Sequence, residues 1–202
     1  MQLISYDAFE DWASRQSPLL CERAFFNDAA AFDEEPVHFH QGDLETDTLM
    51  VAPVTVIDGN LTVRKIDYAY DTGLLVVSGN VVCQHLGRMN IDVVIGGELQ
   101  AKTLCLNTLN DYSLFVGGDL HADFLSEHGA QVDVRGKIVC PTVLSLMNEI
   151  VAHGGVQGRF IHAVRGRNVG QVLIDAVLTP EGYLDEEKLE ACVLGGASPL
   201  KS

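Results

Sequence analysis

A glycine recurs at near-regular intervals through most of the chain. Gly42, Gly59, Gly79, Gly97, Gly118, Gly136 and Gly154 are separated by 17, 20, 18, 21, 18 and 18 residues. The residue types after each glycine recur as well. Two residues on stand Leu44, Leu61, Val81, Leu99, Leu120, Ile138 and Val156, and seven residues on stand Leu49, Ile66, Leu86, Leu104, Leu125, Val143 and Ile161, aliphatic in every copy. Four residues on, Thr46, Val63, Cys83, Ala101, Ala122, Cys140 and Gly158 are mostly small, and the positions between these columns are mostly polar. Apolar and polar residues alternating at period two describe a strand with one buried face, and the small column describes a tight interior. A helical repeat would need a longer run of 3.6-residue periodicity in each unit than this spacing leaves room for.

The pattern predicts a mainly β chain, a β-solenoid of about seven coils of about 18 residues each, and a right-handed winding is expected. A single coil cannot bury its own inner face, so like residues must stack on like along the axis, and stability belongs to the pile rather than to any one turn. Each glycine is placed at a corner, where the chain takes an unusual φ or lets the next coil approach closely. The polar residue after it, as in Asp43, Asn60, Asn80, Glu98 and Asp119, suits a turn.

An open stack needs covers, and helical patterns flank the repeat. Residues 6–16 place Phe9, Trp12 and Ala13 at i, i+3 and i+4 behind Ser5, an N-cap residue type. A second short helix is expected within 20–31 and a third over 184–194, after a turn at Pro180-Glu181-Gly182. The chain divides accordingly into a helical cap over 1–36, the repeat over 37–165 and an extension with a short helix over 166–202.

The formal charge is −15 and falls mainly at the two ends: residues 1–50 carry 11 Asp/Glu against 2 Lys/Arg, and residues 168–202 carry 6 against 2. Such a field repels phosphate backbones and anionic lipid and favours association with a basic partner, so nucleic-acid binding is not expected. There is no long apolar run and the first residues lack the basic and apolar regions of a signal peptide, so no membrane association is expected. Five cysteines with wide, unpatterned spacing suggest neither a disulfide framework nor a zinc site, and a reducing cytoplasm is the expected compartment.

No motif carries catalytic chemistry, and no catalytic residue, metal or cofactor is expected. His38 and His40 alternate on one strand near Asp43, but the spacing supplies no third metal ligand. Cys83 and Cys140 share the small inward column with Ala101 and Ala122 and read as space-fillers. No serine lies in a GxSxG elbow, and the Gly96-Gly97, Gly117-Gly118 and Gly154-Gly155 doublets are not followed by the GK[ST] of a phosphate loop. A hexapeptide-repeat acyltransferase would show an aliphatic residue at every sixth position, whereas the offsets here are two and seven. The remaining histidines, among them His85, His121, His128, His153 and His162, have no carboxylate at a repeating offset and read as surface or corner residues.

Two features suit a protein partner. The two longest repeat intervals contain insertions that pair tyrosine with aspartate, Tyr68, Tyr70 and Asp71 in one and Asp111 and Tyr112 in the other. On one edge of the stack they would form a contact patch, unless the tyrosines roof widened corners. The acidic run Asp33-Glu34-Glu35 is followed by Asp43, Glu45 and Asp47, which alternate on one outward face as a row of carboxylates. A basic nuclease or other basic domain would be drawn to such a row.

The Gly-polar-aliphatic coils over 37–165 resemble bactofilin-type and related polymer-forming β-helix proteins of bacteria. The Val116-Gly117-Gly118-Asp119-Leu120-His121-Ala122 phrasing and the tail Leu178–Leu189 look like a group of bacterial β-helix proteins that serve as immunity partners of toxins. That resemblance implies a non-enzymatic immunity protein binding a cognate basic toxin domain, while the bactofilin likeness implies a self-assembling scaffold. The candidate caps at both ends argue against end-to-end polymerisation, and the oligomeric state stays open.

Overall fold

The computed structural model describes residues 1–24, 36–68, 73–108, 112–162 and 169–201. It opens with β1 (Gln2–Ile4), α1 (Tyr6–Ala13) and α2 (Pro18–Ala24). Seven coils come next, each built from two strands. In order they are β2 (Val37–Gln41) with β3 (Leu44–Val51), β4 (Val54–Asp58) with β5 (Leu61–Tyr68), β6 (Leu74–Val77) with β7 (Val81–Leu86), β8 (Asp92–Ile95) with β9 (Leu99–Asn107), β10 (Ser113–Val116) with β11 (Leu120–His128), β12 (Gln131–Val134) with β13 (Ile138–Ser145), and β14 (Ile150–Ala152) with β15 (Val156–His162). The chain then forms α3 (Val169–Val172), a 3-10 turn at Asp175–Val177 and α4 (Glu186–Leu194).

Even-numbered strands stack in parallel as one sheet, with β1 antiparallel on the outer edge of β2, and odd-numbered strands from β3 to β15 stack in parallel as the other. This is the β-solenoid that the glycine spacing predicts. The column two residues after each glycine pairs in register from Leu44 through Leu61, Val81, Leu99, Leu120 and Ile138 to Val156. Facing it across the interior, Ile57, Val77, Ile95, Val116 and Val134 stack in the other sheet. Each such aliphatic side chain contributes about 1.5–3 kcal/mol by leaving water, and each gain needs the neighbouring rung, which makes the stability collective.

After the first coil the anchor glycines stand where coils approach closely. Of the seven anchors only Gly42 has a positive φ, +90°. From Gly79 onward, each anchor's N–H donates to the carbonyl of the anchor one coil earlier at 2.8–3.0 Å. A Cβ on Gly59, Gly79, Gly97 or Gly136 would lie between 2.0 and 2.5 Å from atoms of the preceding corner. The side chains of Asp43, Asn60, Asn80 and Asp119, each just after an anchor glycine, bridge to the next coil. Asn60 N and Nδ2 donate to Asp43 Oδ1, Asn80 N donates to Asn60 Oδ1, Glu98 N donates to Asn80 Oδ1, and Lys137 N donates to Asp119 Oδ1, at 2.7–2.9 Å.

The column at offset seven breaks in the last coil. The register shifts between Val139 and Thr142, so Val143 pairs with Phe160 instead of Ile161, and Ile161 falls opposite Leu144. The cause is an extra residue in β13 where Gly158 meets it: a Cβ on Gly158 would sit 1.7 Å from the Cys140 carbonyl oxygen.

Helices stand at both ends of the chain as expected, but they cover flanks of the stack instead of its ends. Strand β6, Leu74-Leu75-Val76-Val77, is buried on both faces. The sheet of even-numbered strands is apolar outside as well as inside and requires a second layer. α1 and α2 supply it: Phe9, Trp12, Ala13, Leu20 and Ala24 pack on Val54, Val56, Leu74, Val76, Val94 and Phe115. Ser5 caps α1 by accepting from Ala8 N. At the far side of this layer Arg23 lies over the Phe115 ring and pairs with Asp133 at 2.6 Å. The segment from Val169 to Leu200 forms its own small core over Cys105, Phe124, Leu144 and Leu146 on another flank.

Candidate interaction surfaces

The acidic row predicted on β3 is largely engaged by the next coil. Asp43 spends its Oδ1 on the Asn60 amide groups. Asp47 receives two hydrogen bonds from Arg64, at 2.6 and 2.7 Å, which hold its carboxyl below the ordinary value and raise the guanidinium. Both partners of that pair are more than half exposed, so it adds little to stability, but it cancels a charge on this face. Glu45 remains exposed, with no ion pair among the described residues. Asp33, Glu34 and Glu35 lie outside the described residues, as do Tyr70, Asp71 and Asp111.

Tyr68 and Tyr112 are placed by packing. Both lie at the edge where an odd-numbered strand hands over to an even-numbered one, and both rest against the interior cluster. The Tyr68 phenol is buried without a hydrogen-bond partner, and burial pushes its pKa up. These two tyrosines roof widened corners.

His38 and His40 do share a face, opposite Thr55 and Ile57. That is the inward phase of the first rung, and His40 Nε2 lies 3.2 Å from the Asp43 carbonyl oxygen. No group of three His, Cys, Asp or Glu that could hold a metal occurs among the described residues. Cys83 and Cys140 are buried in the small column, where burial raises their thiols to about 12 and about 11, which disfavours the reactive thiolate. Cys105, raised to about 12, lies under the C-terminal segment.

Three histidines have carboxylate partners that no sequence offset reveals, because each comes from a different element. His85 Nε2 meets Glu190 at 2.7 Å, His128 Nδ1 meets Glu186, and His153 Nε2 meets Asp133 at 3.0 Å. A fourth polar device is internal. Glu127 is fully buried, and its carboxylate accepts from Gly129 N, Leu146 N, Met147 N and Asn148 N at 2.6–3.2 Å.

The acidic surface with least compensation is one the strand pattern does not show. α1 and α2 turn Phe9, Trp12, Leu20 and Ala24 inward, which leaves Asp7, Glu10, Asp11 and Glu22 exposed on the outer face of the helical layer. None of the four has an ion pair among the described residues, and Arg23 is drawn inward to Asp133. The helical period of residues 6–16 carries this information: carboxylates occupy the positions left over by Phe9, Trp12 and Ala13.

The two ends of the stack differ. The first rung presents His38 and His40 inward in one sheet, and β1 occupies its edge. The last rung presents Val156 and Phe160 inward. Phe160, paired with the fully buried Val143, is itself 42% exposed, since β15 is the outermost strand of its sheet among the described residues.

Comparison with known proteins returns no match, whether against family models, curated proteins or solved structures. No helix of the described residues is long and apolar enough to cross a membrane.

Proposed function

We propose that this chain is a non-enzymatic immunity protein of the cytoplasm, which binds and neutralises a basic toxin domain, a nuclease being the partner class that best suits a carboxylate surface. The observation that carries this reading is the unpaired set Asp7, Glu10, Asp11 and Glu22 on a helical layer locked to a rigid stack. Fixed carboxylates on a preordered surface accelerate encounter with a cationic partner and lose little entropy on binding. Glu45 adds a separate negative point on the opposite sheet.

The test is affinity capture from the source lysate, followed by production of the captured protein and an assay of whether it kills cells with and without this chain. A toxic, basic partner supports the reading, and a harmless or acidic one overturns it. With that partner in hand, joint reversal of Asp7, Glu10 and Asp11 to lysine should slow association about tenfold at low salt and flatten its salt dependence. Stopped-flow binding would show this, and unchanged kinetics would clear the helical face of a role.

One observation favours a second reading, a bactofilin-like scaffold that self-assembles through its coil ends. The last coil, residues 150–162, bears Arg159 and no carboxylate, and it leaves Phe160 and Val151 42% and 39% exposed. Two such ends could meet without the repulsion expected of an otherwise acidic chain. Light scattering separates the readings: assembly that grows with concentration and is abolished by Phe160→Lys supports the scaffold, and a small particle at every concentration removes it.

A further inference from the structure

One repeated backbone bond joins each coil to the next. Leu44, Leu61, Val81, Leu99, Leu120 and Ile138 each donate their N–H to the carbonyl just before the matching residue of the following coil, at 2.8–3.0 Å. Val156 is the seventh in this column, and no strand lies beyond β15 among the described residues. Its N–H points along the stack without the acceptor that a following coil supplies to each of the others. Phe160, four residues on with the same inward side chain, presents its backbone groups on the same edge. β14 ends the other sheet in the same way. An edge of this kind is a template for another strand. The apolar side chains beside it are uncovered too, with Phe160 and Val151 exposed and Val156 half-buried.

Charge indicates what meets this edge. At the first coil β1 takes the edge of β2, and β3 carries Asp43, Glu45 and Asp47 against Arg64. The last coil, residues 150–162, has Arg159 and no Asp or Glu. In a chain of charge −15, a second copy meets little repulsion at this end. A two-fold axis supplies the fit, because two copies of one edge related by it run antiparallel and exchange paired backbone bonds. With the axis at Gly158, Val156 stands opposite the partner's Phe160, both inward, and Gln157 opposite the partner's Arg159, both outward. No like charges are directly opposed. Val151 stands three residues before Gly154 and Gly158 four after it, so the same axis crosses β14 at Val151. Glu149, exposed and without an ion pair among the described residues, then faces the partner's His153, at the corner that His153 shares with Arg135 and Asp133.

We propose that the open end formed by β14 and β15 is a homodimer interface, where two copies join last coil to last coil and both sheets continue across an axis through Val151 and Gly158. Assembly stops at two copies, since joining uses up that end, and the other end is covered by β1 on one sheet and acidic on the other. The contact buries Phe160, Val156 and Val151 and gives the Val156 N–H its acceptor. The inference is independent of both functional readings. A closed pair is not a scaffold, and it leaves the carboxylates of α1 and α2, which lie over earlier coils, open to a partner.

The test is sedimentation equilibrium of the full chain over about 1–100 µM. The expected species has twice the 21.9 kDa mass of the chain, with nothing larger. Phe160→Lys should weaken dimerisation about tenfold or more while leaving the circular dichroism unchanged. Val151→Cys should give a disulfide-linked dimer on mild oxidation, because directly opposed residues of an antiparallel pair have Cα atoms about 4.5–5.5 Å apart, within disulfide reach. Val82→Cys, similarly exposed on β7, should not. A monomer at every concentration overturns the inference, and so does growth beyond two copies, which supports the scaffold reading instead. A dimer that survives Phe160→Lys intact, or that does not link through Val151→Cys, overturns it as well. If Phe160→Lys does not fold, the two cysteine variants decide.

Discussion

In Gly117→Ala, stability read by urea denaturation should fall by roughly 3 kcal/mol or more. The new Cβ would lie 2.3 Å from the Gly96 carbonyl oxygen, and that atom is backbone at a corner fixed by the bonds from Gly96 N to Val77 O and from Gly97 N to Gly79 O. It can retreat only if the spacing of two coils widens, which disturbs the hydrogen bonds from Gly117 N to Ile95 O and from Gly118 N to Gly97 O together. Gly155→Ala is the matched contrast. Its φ is +84° but nothing lies within 4 Å of the added atom, so the cost is that of the left-handed backbone alone, about 1–2 kcal/mol. Equal losses in the two variants would mean that corner conformation, not coil contact, selects the glycines.

Glu127→Ala should cost roughly 2–3 kcal/mol, because Gly129, Met147 and Asn148 lose their charged acceptor while Leu146 N keeps the Glu127 backbone carbonyl. The carboxylate lies at the end of β11 and closes the turn after β13, binding three successive N–H groups at Leu146, Met147 and Asn148. Glu127→Gln should lose less, since one oxygen still accepts while the amide nitrogen faces donors. Differential scanning calorimetry would rank the two, and full stability in both would show that water satisfies this turn equally well.

The seven coils are legible because their signal is local. Each glycine, the aliphatic residue two places on and the small residue four places on fall within one strand, so a single sequence displays the rung, and stacking places it in register. Offset seven fails at Ile161 because a bulge in β13, invisible in β15's own residues, moves Phe160 into the column. The repeat places Asp43 at a corner and Asp47 on an outward face, as found, yet Asn60 donates to the first and Arg64 pairs with the second from one coil away. A period-two pattern reports which side a residue faces, not what stands beside it. Tyr68 shows the same limit: a tyrosine beside an aspartate in an insertion suits a contact patch, and packing turns its ring onto the core. The flanking position of the helices is within reach of the sequence, since a four-residue apolar run such as Leu74–Val77 already announces a sheet that needs covering on both faces.

The amino-acid order alone determined the stack of coils, because a repeat of about 18 residues with a fixed inward column buries its apolar face by piling like residues on like. It also determined where the acid lies along the chain. The tertiary structure alone decided which carboxylates are neutralised, that Glu186 and Glu190 meet His128 and His85, and that the last rung leaves Phe160 bare. Those outcomes depend on contacts between residues distant along the chain, set by the stagger of one coil on the next and by where the terminal segments come to rest, and no local period encodes them.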